Sequence, residues 1–95
     1  MENLKNIAPG EILKKEFLIP MGISQYRLAK ELSIPPARVS HIINGNRRIT
    51  VDTALRLSLF FGNSAKFWLE LQADFDIENL QSTTSMKINP ARACV

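Results

Sequence analysis

Residues 24–45, SQYRLAKELSIPPARVSHIING, decide the fold. Ser24 offers a side-chain oxygen to the free amides of a first helical turn, and behind it Leu28, Ala29 and Leu32 recur at helical spacing. Gln25, Lys30 and Glu31 fall on the opposite side, and the helix stops near Leu32. Ser33, Ile34 and Pro35 then make a tight connection. Pro36 takes the first-turn slot of the next helix, where a missing amide costs nothing. That helix turns Val39, Ile42 and Ile43 inward, and Asn44-Gly45 ends it, because glycine tolerates the left-handed backbone of a helix C-terminus. A capped helix, a tight turn and a second helix of three turns or fewer form a helix-turn-helix pattern.

The outward face of the second helix centres on Ala37, His41 and Asn44, flanked by Arg38 and Ser40. It is short, polar and uncluttered, as a helix lying in a DNA major groove must be. Arg38 suits guanine or a phosphate, and His41 suits a base edge or a phosphate. Ala37 suits a thymine methyl, and Asn44, near the helix end, suits the sugar-phosphate backbone. Gln25 sits at the first helix's N-terminus, where free amides and the helix dipole attract a phosphate. Arg47 and Arg48, beyond Gly45, would add a sequence-independent clamp. Plainer readings stand beside these: a solvated surface histidine, a flanking arginine that meets only water, and a charged turn.

Working outward, Ile12, Leu13, Phe17 and Leu18 mark a helix from about Pro9 to about Leu18, with Pro20 expected to forbid its continuation. After the polar loop 46–49, Thr50 caps a further helix with Asp52 in its first turn, and Gly62 ends it. Ala54, Leu57, Ser58 and Phe61 share one face of that helix, while Leu55, Leu59 and Phe60 point elsewhere. Ser64 caps a last helix with Phe67, Trp68, Leu71 and Phe75 on its apolar face and Lys66, Glu70 and Asp74 on its polar one, fading over residues 76–80. The expectation is an all-α, five-helix bundle over residues 1–78, with residues 79–95 a flexible tail whose few large apolar groups cannot offset their ordering entropy. Leu55, Leu59, Phe60, Phe67, Trp68 and Leu71 exceed what a monomer of this size hides, so they are the expected two-fold contact of a homodimer.

An apolar fraction of 45% with 22% charged residues suits a globular domain, and no apolar run approaches the ~20 residues of a membrane span. No basic segment runs into an uninterrupted apolar stretch at the N-terminus, so export is not expected. Cys94 is the only cysteine, which rules out an internal disulfide and fits a reducing, cytoplasmic setting. Charge is uneven: residues 1–50 carry eight Lys/Arg against four Glu, and the remainder carries four against five Asp/Glu. A basic front half suits a face presented to phosphates. Catalysis needs convergent ionisable groups, and the lone His41 and terminal Cys94 lie far apart, so neither an enzyme nor a metal or cofactor site is expected. Glu70, Asp74, Asp76 and Glu78 read as a solvated acidic face, with a contact surface for a basic partner as the other option.

The pattern Ser24-Gln25, Leu28-Ala29, Val39-Ser40, Ile42, Asn44-Gly45 resembles the helix-turn-helix of phage-repressor-type (XRE) regulators, whose fold is lambda-repressor-like. The strings APGEILKKEFLIPMGIS at 8–24 and RRITVDTALRLSLFFGNSAKFWLELQADFD at 47–76 are similar to HigA/VapI-type antitoxins. The resemblance implies a homodimer that binds an inverted repeat in its own promoter, represses that operon and neutralises a RelE-like ribonuclease toxin of the HigB type. It also implies Pro36, Ala37 and His41 at base edges, with Gln25 and Asn44 on phosphates. Pro36 and Ala37 depart from the polar base readers of many phage repressors, which shifts weight toward readout of DNA shape. A stand-alone regulator without a toxin, or an interaction module that does not bind DNA, remain the alternatives.

Overall fold

The computed structural model describes residues 6–91, so Cys94 lies outside the described residues. Every regular element among the described residues is helical: α1 (Pro9–Ile12), a π-helical stretch (Leu13–Leu18), α2 (Ile19–Met21), α3 (Gln25–Leu32), α4 (Pro36–Ile43), α5 (Val51–Phe61) and α6 (Ala65–Thr83). The first three segments run on as one rod, so five helices pack together, as the periodicity predicts.

Local chemistry sets most boundaries. Ser24, Thr50 and Ser64 each accept the amide three residues on, from Arg27, Thr53 and Phe67. Three helix ends in succession close in one way, by a pair of amide-to-carbonyl bonds wrapped around a left-handed residue. Ile23 and Gly22 donate to Leu18 and Ile19, Ile34 and Ser33 donate to Ala29 and Lys30, and Asn46 and Gly45 donate to His41 and Ile42. At the first two ends the residue beyond the turn is apolar and buried, Ile23 and Ile34. At the third it is Asn46, exposed beside the outer face of α4.

Two boundaries differ from the sequence reading. The first rod passes through Pro20 to Met21, because the π-helical stretch shifts the bonding from four residues to five ahead of the proline. The amide before the proline, Ile19 N, donates five residues back to the Lys14 carbonyl, so Pro20 enters where the coil is already wide. The last helix does not fade at 76–80 but reaches Thr83. Its apolar periodicity ends there, yet no Gly or Pro interrupts it, and Ser82 Oγ and Thr83 Oγ1 both donate to the Asn79 carbonyl.

The core joins Leu13 and Leu18 of the first rod to Leu28, Leu32, Val39, Ile42, Ile49, Ala54, Leu57 and Trp68. Trp68 is the centrepiece: it has no exposed surface, its Nε1 donates to Asn63 Oδ1 at 2.9 Å, and its ring lies 4.9 Å from that of Phe17. Phe17 also meets Phe61 at 4.9 Å, so α5, α6 and the first rod share one aromatic cluster. Gly10 lets the rod lie directly on the end of α4, since a Cβ there would sit 1.9 Å from the Ile42 carbonyl oxygen.

Candidate nucleic-acid interface

The helix-turn-helix is α3 and α4, and burial splits α4 cleanly. Val39 and Ile42 are 1% and 3% exposed, locking the helix onto Leu28, Ala29 and Leu32, all buried. Pro36, Ala37, His41 and Asn44 are exposed on the other side, with Arg38 and Ser40 half-buried on the flanks. Gln25, half-buried, opens α3, whose first amides have no partner within the helix. The loop that follows α4, Asn46, Arg47 and Arg48, is exposed as well.

The helix-turn-helix family model matches residues 13–68. Virulence-associated protein I of Dichelobacter nodosus is 49% identical over 72 residues, which span 76% of this chain and 67% of that protein. Antitoxin HigA-1 of Vibrio cholerae is 39% identical over 71 residues, spanning 75% of this chain and 67% of that one. The chain belongs to the XRE-type helix-turn-helix family of HigA antitoxins. The solved structure of the Pseudomonas aeruginosa antitoxin HigA with the higBA promoter superposes with a TM-score of 0.84 at 34% identity, covering 93% of this chain and all of that one. The family is one of DNA-binding regulators and not of enzymes. Among the described residues no group of His, Cys, Asp or Glu is placed to hold a metal ion, and no helix is long and apolar enough to cross a membrane.

In this HigA-type chain the basic residues are not equivalent. Arg38 Nη1 lies 3.4 Å from Asp52 Oδ2 at the start of α5, so its guanidinium is turned along the protein and would have to leave Asp52 to meet a guanine. The same carboxylate oxygen accepts Arg56 Nε at 3.0 Å, and Arg56 Nη1 donates to the Leu32 carbonyl at 2.8 Å. The Arg56 hydrogen bond holds the Asp52 carboxyl below the usual carboxylate range, with Arg38 adding to the effect. Arg48 forms an ion pair with Asp76 of α6, whereas Arg47, exposed beside it, makes none among the described residues.

Gln72 is the residue that sequence reasoning passed over. It is 4% exposed, its Oε1 accepts the buried Ile49 amide at 2.8 Å, and its Nε2 donates to Asp76 Oδ1 at 3.0 Å. Its only mark in the sequence is a polar residue at the helical offset of the apolar Trp68, i to i+4. Asp76, read beforehand as part of a solvated acidic face, instead reaches the loop after α4.

The expected dimer residues also separate. Leu59 is 77% and Leu55 52% exposed, Phe67 is at the edge with 36%, and Phe60 and Leu71 are half-buried. Trp68 is corrected: it is wholly inside the protomer and has no surface for a partner. The indole lies between Phe17 and Phe61 inside the aromatic cluster, whereas the Phe67 ring meets the edge of that cluster, against Phe17 and Trp68, and keeps part of its surface in water.

Proposed function

We propose that this chain is the antitoxin of a toxin-antitoxin pair, binding as a homodimer to an inverted repeat in its own promoter, repressing that operon, and neutralising a RelE-like ribonuclease of the HigB type. The observation that carries the reading is the outer face of α4, where Ala37, His41 and Asn44 stand clear of the core beside the Arg47-Arg48 loop. Support comes from the likeness to the Pseudomonas aeruginosa HigA, a structure described as that antitoxin with the higBA promoter.

In this reading Pro36, Ala37 and His41 meet base edges, with Ser40 on the flank. Gln25, Asn44, Arg47 and Arg48 meet phosphates, and Arg38 does so once released from Asp52. Leu55 and Leu59, flanked by Phe60, Phe67 and Leu71, form the two-fold contact that sets the two α4 helices about one DNA turn, ~34 Å, apart. The toxin part rests on family membership alone.

A gel shift with the chain's own promoter region, run at two salt concentrations, tests the first part, and co-purification with the product of the neighbouring gene tests the second. Promoter binding without a co-purifying partner would leave a stand-alone regulator. Within the first part, His41→Ala should change the ranking among operator variants by about 1–3 kcal/mol. An equal loss on every sequence would move His41 from bases to phosphate.

A further inference from the structure

We infer that Gln72 and Asp76 of α6 set how strongly the loop after α4 holds DNA: Gln72 fixes the backbone of that loop, and Asp76 holds Arg48 in an ion pair that a phosphate must displace. The inference rests on the proposed placement of Arg48 on a phosphate.

The loop and α6 form a closed ring of contacts. Ile49, 1% exposed, anchors the end of the loop in the core, and its amide donates to Gln72 Oε1 at 2.8 Å. The other end of that buried carboxamide donates to Asp76 Oδ1 at 3.0 Å, which orients the carboxylate so that Oδ2 faces Arg48. Asp76 is therefore fixed from behind and is one-third exposed, whereas the Arg48 side chain is 65% exposed and free to swing. Of two adjacent arginines one is already paired and the other is not, so the loop presents nearly one unit of charge to DNA instead of two.

The consequence differs between DNA sequences. On a duplex where α4 is seated in the groove, the loop stands against the backbone and Arg48 exchanges Asp76 for a phosphate at close range. On an unmatched duplex, contact is loose, the exchange yields less and the pair mostly stays closed, so Asp76 weakens matched binding more than unmatched binding. Gln72 and Asp76 lie beyond α3 and α4, so they act on the loop from outside the helix-turn-helix itself. An exposed pair of this kind adds little to folding stability, and its removal reports on binding.

The test uses the full chain with two duplexes, its own promoter region and a scrambled sequence of equal length, titrated across a salt series. Asp76→Asn removes the charge and keeps an oxygen for Gln72 Nε2. It should tighten the promoter duplex about threefold to tenfold, and on the scrambled duplex, where Arg48 otherwise stays with Asp76, it should steepen the log affinity against log salt slope by up to about one. The scrambled duplex should tighten less. On the promoter duplex Arg48→Ala should make the slope shallower by about one, and in that background Asp76→Asn should change neither duplex, because the effect runs through Arg48. Asp76→Ser repeats the measurement with a smaller side chain if the amide disturbs the fold.

Unchanged affinity and slope in Asp76→Asn and Asp76→Ser, beside an effect of Arg48→Ala, would overturn the inference alone. So would weaker binding, or an effect that persists without Arg48. An Arg48→Ala variant with the parental slope on the promoter duplex would overturn both the inference and the placement of Arg48 on a phosphate.

Discussion

Two residues show how backbone conformation and close approach constrain this chain. Ser33, at φ 59°, is the non-glycine residue with positive φ among the described residues, and it lies in the turn between α3 and α4. Its left-handed backbone lets Ile34 fold back onto the Ala29 carbonyl and bury its side chain, so the strain is held by the fit of the turn. Ser33→Gly should relieve that strain and raise stability by about 0.5–1 kcal/mol, reduced by glycine's larger unfolded-state entropy. The check is a higher urea midpoint at unchanged slope. Gly10 is the opposite case, since its Cβ would meet the backbone oxygen of Ile42, which cannot rotate away as a side chain would. Gly10→Ala should cost on the order of 1–3 kcal/mol. It should also weaken promoter binding by tilting α4, and a variant with parental stability and affinity would show that the rod does not press on α4.

At the level of elements, α4 is held from three sides: by Leu28, Ala29 and Leu32 of α3, by the first rod at Gly10, and by charge from α5. The last tie runs through Asp52, which takes Arg38 of α4 and Arg56 of its own helix, while Arg56 reaches the Leu32 carbonyl at the end of α3. Asp52 is lowered in the folded chain, chiefly by its hydrogen bond from Arg56. The sign follows: a carboxyl more acidic when folded stabilises above its unfolded pKa, and that contribution disappears as pH falls through the folded value. Stability of the parent should therefore decline through the acid range below the usual carboxylate pKa, and Asp52→Asn should decline less. Urea midpoints at a series of acid pH values measure this. Parallel curves for the two proteins would remove Asp52 from the tie.

At the scale of the whole molecule, α5 and α6 build an aromatic interior on one side and leave Leu55 and Leu59 in water on the other. An uncovered pair of leucines on a rigid helix suits a self-complementary contact, and in the proposed homodimer two α4 helices fixed relative to each other would turn the second half-site encounter into a nearly intramolecular one. Leu59→Asp puts a charge at a site that is 77% exposed in the protomer, so folding should survive while dimerisation fails. Sedimentation at micromolar concentration should then report monomers, and promoter affinity should fall by about 10²-fold or more. A dimeric variant with parental affinity would move the two-fold contact elsewhere.

The sequence by itself determined the helices, the helix-turn-helix and the split of α4 into an inner and an outer face. Ser24, Thr50 and Ser64 as caps, Gly45 and Gly62 as stops, and Val39 with Ile42 at helical spacing act within a turn or two of themselves, so their effect is readable without knowing what packs where. Tertiary structure alone decided the rest. Phe67 and Trp68 are aromatic neighbours in the chain and both rings meet Phe17, yet only Trp68 is wholly buried, which the packing of the helices around it decides. Gln72 and Asp76 find their partners 23 and 28 residues away, and Gly10 meets Ile42 across the bundle. Pro20 passes through a helix because the coil ahead of it widens. Such contacts depend on the relative placement of whole helices, which is settled by the summed packing of the core and leaves no periodic mark in any one segment.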